Sequence, residues 1–173
     1  MAMFIAVEAM FFAGLASAFL VLRAGSGGTW PPLGQPRLPL EVTALNTLVL
    51  LASGAALILA ERAALQGQKP TRLLPFSLLL GALFLAIQGS EWLRLIAQGL
   101  TLTSSVYGGL FYTLIGAHAL HVLGGLAGAI WYWYSIRKSE RLRDAEKIRF
   151  RVVRMYWLFV VGLWPVLYVL VYF

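Results

Sequence analysis

Long stretches of this chain carry almost no polar residue. Apolar runs cover roughly residues 3–22, 42–60, 73–93, 106–134 and 152–172, each near the about 20 residues that a helix needs to cross a bilayer core. Within them Leu, Ala, Val and Phe follow one another without the alternation of a membrane barrel strand. Backbone groups in hydrocarbon must be satisfied inside the segment, so the runs predict helices. The connections reach at most about 20 residues and read as turns or a short charged helix. The pattern therefore predicts one all-α domain over residues 1–173, a polytopic bundle of five transmembrane helices.

Between the first two runs, Gly25-Ser26-Gly27-Gly28, then Trp30-Pro31-Pro32 and on to Pro39, predict a rigid turn with no room for a helix. The first run could be mistaken for a signal peptide, because Ala16-Ser17-Ala18 resembles a small-residue cleavage site. It lacks a positive leader and carries Glu8 inside the apolar stretch, so it is read as a retained span.

Composition agrees: 60% of the 173 residues are hydrophobic and 12% charged, where soluble domains carry about 25% charged residues. The net charge of +7 does not imply nucleic acid, because the basic residues sit at span ends instead of forming a stripe with interleaved aromatics. Of the 14 Lys and Arg, Arg23, Arg37 and Arg94 fall on one side of the predicted spans. The remainder, Arg62, Lys69 and Arg72 with the run from Arg137 to Arg154, fall on the other. The positive-inside rule then places the N-terminus inside and the C-terminus outside. The basic run, with Glu140, Asp144 and Glu146 interspersed, reads as a solvated cytoplasmic loop, anionic-lipid contact being the lesser reading. Absence of cysteine excludes disulfides, thiolate metal sites and palmitoyl anchors.

Against this background a few polar side chains stand out. Glu8 lies about 10 Å along the first helix at about 1.5 Å per residue, deep enough to need a partner or a proton. It reads as a structural hydrogen-bonded group or as a proton- or lipid-linked one. His118 and His121, three apart, share a helix face and in principle admit a metal or haem. No further histidine completes such a site, and hydrogen bonding to Glu8 or another buried group is expected instead. Gln88 and Glu91 form a second polar pair on the third span, with Arg94 three residues beyond Glu91 for an ion pair at the span's end. Trp30, Trp92, Trp131, Trp133, Trp157 and Trp164 fall towards span ends and predict interfacial anchors. Gly124 and Gly128, Ala13 and Ser17, and Gly14 and Ala18 predict close helix approach. No nucleophile with an adjacent base, phosphate loop or carboxylate cluster is present, so the chain reads as a subunit without an active site of its own.

These residues resemble subunit III of the haem-copper respiratory oxidases. The resemblance runs in order through nearly the whole chain: EAMFFAGLASAF from Glu8, Trp30-Pro31-Pro32, LNTLVLLASG with Asn46, GALFLAIQGSEW with Gln88, Glu91 and Trp92, FYTLIGAHALHVLGGL with His118 and His121, and YWLF with Tyr156 and Trp157, followed by Trp164. It corresponds to the short five-helix bacterial form. The family's last span usually reads YWHFVD, where this chain has Leu158 and Val161, and Ile115 and Ala119 replace its usual Thr and Gly. The resemblance implies a non-catalytic subunit of a proton-pumping terminal oxidase in the bacterial inner membrane, with no cofactor of its own and with haem and copper in partner subunits. It implies packing against oxidase subunit I and other oxidase subunits, bound phospholipid, and a respiratory supercomplex as a further assembly. Glu8, His118 and His121 are the expected buried polar or lipid-binding residues. The electron donor, cytochrome c or quinol, stays open. An accessory subunit of a nitric-oxide reductase is the alternative. An autonomous channel or transporter is a third, although no internal repeat supports it.

Overall fold

With no water to satisfy them, the amides of an apolar run close onto their own helix. A computed structural model describes all residues except 28–29, 33, 67–69, 71 and 138–143. The described residues form five helices: α1 (Ala2–Gly25), α2 (Leu40–Leu65), α3 (Leu73–Ala97), α4 (Val106–Ile136) and α5 (Asp144–Tyr172). All five are long and apolar enough to cross a membrane, and no strand occurs among the described residues. The helix count matches the sequence pattern, and each helix overruns its apolar run.

The largest overrun is at α5, which starts at Asp144 and carries the charged stretch through Arg154 as helix. The loop reading of that stretch is thereby corrected for its second half. Glu146 is buried, and Arg154 Nη1 donates to Glu61 Oε2 on α2 at 2.5 Å. Lys69, Lys138, Glu140, Arg141 and Arg143 lie outside the described residues.

Local chemistry fixes the sharpest turn. At the end of α3, Gly99 takes φ +90°, its N–H donates to Ile96 O, and that of Leu100 donates to Leu95 O, both at 3.0 Å. This is a Schellman closure, which a side chain at position 99 would strain. The Ser105 hydroxyl then accepts from Gly108 N at 3.0 Å, capping α4.

Helices α2 to α5 pack as a body, with α2 against α3 and α5, and α4 against α3 and α5. Its centre holds Trp157 and Trp164, exposed to only 1% and 0%. The interfacial role predicted for these two tryptophans is therefore wrong. Trp157 Nε1 donates to Ser53 Oγ and Trp164 Nε1 to Thr47 Oγ1, both at 2.9 Å, so the indoles tie α5 to α2 through groups that would otherwise be unpaired in the core. Trp157 fits because Gly81 and Gly125 lack side chains: a Cβ on Gly81 would stand 2.7 Å from the indole, and one on Gly125 2.8 Å. The predicted Gly124–Gly128 and Gly14 steps do not serve this purpose within the chain. A Cβ at Gly14 or Gly128 would meet nothing within 4 Å, and one at Gly124 only the Tyr156 hydroxyl at 3.7 Å.

Helix α1 is held differently. Only Phe12 and Phe19 of α1 are buried, and the helix rests on α4 and α5. Leu48, Leu79, Leu120 and Val166 are among the large apolar side chains left exposed on the other helices, a surface suited to hydrocarbon and to neighbouring membrane helices.

Candidate functional site

Glu8 sits two turns into α1, on the side turned towards α4. Its Oε2 lies 2.8 Å from His121 Nε2, and His121 Nδ1 lies 2.7 Å from Ala117 O. A carbonyl oxygen only accepts, so Nδ1 carries a hydrogen. The Nε2–Oε2 contact then holds one proton, on nitrogen as an imidazolium–carboxylate pair or on oxygen as an acid facing neutral imidazole. In either form the pair is neutral overall, the low-cost arrangement for two ionisable groups at membrane depth. Each side chain is 18% exposed. Phe12 closes one side with its ring 5.0 Å from the imidazole, edge to face, and Phe11 lies at 6.4 Å. Tyr156 on α5 donates its hydroxyl to His121 O at 3.3 Å, bringing a third helix to the pair.

His118 shares the helix but not the partner. Fully buried, it stacks on Trp164 at 5.0 Å between ring centroids, with Phe84 and Phe12 edge-on at 6.3 and 6.5 Å. Neither ring nitrogen has a hydrogen-bond partner among the described residues. The structure thus brings Glu8 and His121 together and places His118 in an aromatic box one turn away. Among the described residues no group of three or more His, Asp or Glu is disposed to hold a metal.

The remaining motif residues form a seam through the body. Asn46 Nδ2 donates to Phe84 O at 3.1 Å and meets Gln88 Oε1 at 3.5 Å, while Gln88 Nε2 donates to Tyr172 OH at 3.3 Å. Gln88 therefore reaches across to α2 and α5 instead of pairing along α3 with Glu91. Glu91 pairs with Arg94 at 2.8 Å, as its spacing predicts. Trp92 meets Tyr112 edge-on at 6.0 Å. Trp30 is wedged between Phe19 and Tyr107 at 5.5 and 5.2 Å, fastening the α1–α2 connection to α4.

Sequence reasoning missed the Glu61–Arg154 pair. Glu61 lies near the end of an apolar run and Arg154 at the start of another, so each resembles an ordinary interfacial charge. The available signal was an acid and a base at the same end of their two spans.

The whole chain, residues 1–173, matches the family model described as cytochrome c oxidase subunit III. A probable cytochrome c oxidase subunit 3 of Mycobacterium leprae is 38% identical over 170 residues, covering 96% of this chain and 82% of the relative. That of Nocardia farcinica is 37% identical over 171 residues, with 96% and 82% covered. The cytochrome c oxidase subunit 3 of Lycodon semicarinatus is 35% identical over 179 residues, covering 99% of this chain and 67% of its own length. A match over the whole of this chain, whose described residues form five helices long and apolar enough to cross a membrane, establishes that the protein belongs to the cytochrome c oxidase subunit III family.

Proposed function

We propose that this chain is the supporting, non-catalytic subunit III of a proton-pumping haem-copper oxidase in a bacterial inner membrane. The observation that carries the reading is the match over residues 1–173, which makes the chain part of a multi-subunit oxidase. Its work is to pack against the catalytic subunit I, whose haems and copper perform oxygen reduction, and to keep that subunit and its lipids in order during turnover. Residues 1–173 act as one transmembrane unit, with the N-terminus inside and the C-terminus outside. The Glu8–His121 pair serves this role by joining the lightly packed α1 to α4 without net charge, and His118 with Trp164 stiffens the helix that carries it.

The test is purification of the affinity-tagged chain from native membranes under mild detergent, read by visible spectra and by oxygen and nitric-oxide consumption. Haem-copper spectra with oxygen consumption support the proposal. Copurification with nitric-oxide reductase activity and no oxygen consumption would move the chain to an accessory subunit of that enzyme. A haem-free preparation containing only this chain would overturn the proposal in both forms.

A further inference from the structure

We propose that the cavity at the end of the bundle carrying Arg23 and Arg37 is the docking point for an acidic residue on an extramembrane segment of another protein subunit, a contact that rests on the chain's being part of an oxidase. The cavity has a volume of about 290 Å³. That is just under the about 300–1,000 Å³ of small-molecule pockets, so it admits a side chain with its flanking backbone and not a folded element. Four helix ends surround it, through Arg23 of α1, Leu40 of α2, Tyr107 of α4 and Tyr172 of α5.

The side-chain charges on its lining are of one sign. Arg23 donates to Phe173 O at 2.6 Å and to Leu170 O at 3.4 Å, which fixes its guanidinium against α5. Arg37 is exposed and has no hydrogen-bond or ion-pair partner among the described residues. No acidic side chain lines the cavity, and Glu41, in the first turn of α2, is exposed and outside it. The third basic residue at this end, Arg94, already has Glu91 at 2.8 Å. Arg37 is thus left without a counter-charge, and its planar guanidinium presents forked N–H donors that match a carboxylate.

The surroundings of the two arginines favour a protein carboxylate over other anions. Trp30, Pro31, Leu38 and Val171 form an apolar rim around them. A hydrated inorganic anion leaves that rim uncovered, whereas the methylenes of a side chain and an apolar neighbour cover it. Trp30 and Tyr107, edge to face at 5.2 Å, stand between the cavity and the groove lined by the exposed Val21, Leu22 and Val106. A phospholipid would have to straddle that wall. The socket is stiff before any partner arrives, because Trp30 is also edge-on to Phe19 at 5.5 Å and Arg37 lies between Pro36 and Pro39. A preformed site loses little freedom on binding, so a single ion pair can contribute to affinity.

The experiment places the photoreactive residue benzoylphenylalanine at Leu38 in the assembled complex in native membranes, and the crosslinked peptides are mapped by mass spectrometry. The expected product joins this chain to a peptide of another oxidase subunit with an Asp or Glu at or next to the crosslink. Re-addition of the purified chain to oxidase stripped of it then gives the strength of the contact. Arg37→Gln should raise the apparent Kd about tenfold, the loss of one charge-assisted hydrogen bond, while Arg94→Gln leaves it unchanged. Arg37→Glu combined with Lys at the crosslinked acid should restore it. The docking site is overturned by the absence of any crosslink, or by a crosslink to a segment without an acid, to lipid alone or to a second copy of this chain. An equal Kd for wild type and Arg37→Gln, or an equal loss in Arg94→Gln, overturns it too. All of these leave the oxidase assignment standing when the chain copurifies with haem, whereas a chain that copurifies with no haem subunit overturns both.

Discussion

Replacing Glu8 by Leu removes the carboxylate that faces His121, and the reach of that loss is best measured as a coupling between positions. The perturbation has three arms, Glu8→Leu, His121→Leu and the double variant, repeated with His118→Leu in place of His121→Leu. Charge-assisted hydrogen bonds contribute about 1.5–3 kcal/mol in proteins generally, whereas interhelical polar contacts in membranes average about 0.6 and reach about 1.7 kcal/mol. With 18% of each side chain exposed, the membrane range governs. The short, proton-sharing contact belongs in its upper part, at about 1–1.5 kcal/mol. His118 touches Phe12, Phe84 and Trp164 but not Glu8, so its cycle with Glu8 should close within about 0.5 kcal/mol. Glu8→Gln should keep most of the stability, because the amide N–H donates to the Nε2 lone pair that the tautomer leaves free. The assay is reversible unfolding of the chain in bicelles, followed by steric trapping. Additive losses at His121, or equal coupling to both histidines, would refute the pairing.

Three further outcomes follow from the packing and the charges. Gly81→Ala should destabilise by about 1–3 kcal/mol, because the added carbon stands 2.7 Å from Trp157. Gly128→Ala should stay within about 0.5 kcal/mol of wild type, and thermal melts in detergent compare the two; an equal effect would place Trp157 elsewhere. Glu61→Gln should cost about 2 kcal/mol by stranding Arg154. This is less than the about 3–5 kcal/mol of a fully buried pair, since the Arg154 side chain is 28% exposed. Adding Arg154→Gln should recover part of that loss, and unchanged stability in the single variant would show that the pair is idle. A C-terminal alkaline phosphatase fusion should be active and a cytoplasmic reporter at the same point silent, given the basic residues at Arg62, Arg72, Arg137 and Arg149; the reverse pattern would contradict the proposed topology.

The five helices were legible because length alone separates a bilayer-crossing run from a core helix. Glu8, His121 and the Glu91–Arg94 pair were legible because an ionisable group in an apolar run must find a partner within reach of its helix. The sides of the helices were not legible. In hydrocarbon the outward face is as apolar as the core, so Trp157 and Leu120 look alike in sequence although one is buried and the other exposed. For the same reason the spacing of Gly124 and Gly128 suggested contact, while the glycines that admit Trp157 are Gly81 and Gly125. His118 and His121 share a face at three residues' spacing, but Trp164 takes one and Glu8 the other. That division depends on the rotation of α4 against α1 and α5, which no local pattern encodes.

The most direct measurement of the central claim, that this chain supports an oxidase without sharing its chemistry, is oxygen consumption by the assembled enzyme with and without the chain through sustained turnover. The two preparations should show equal haem content and nearly equal initial rates, followed by faster loss of activity in the one that lacks the chain. An initial rate abolished while haem and copper are retained would assign the chain a part in the reaction itself. Identical decay in the two preparations would deny it the supporting role.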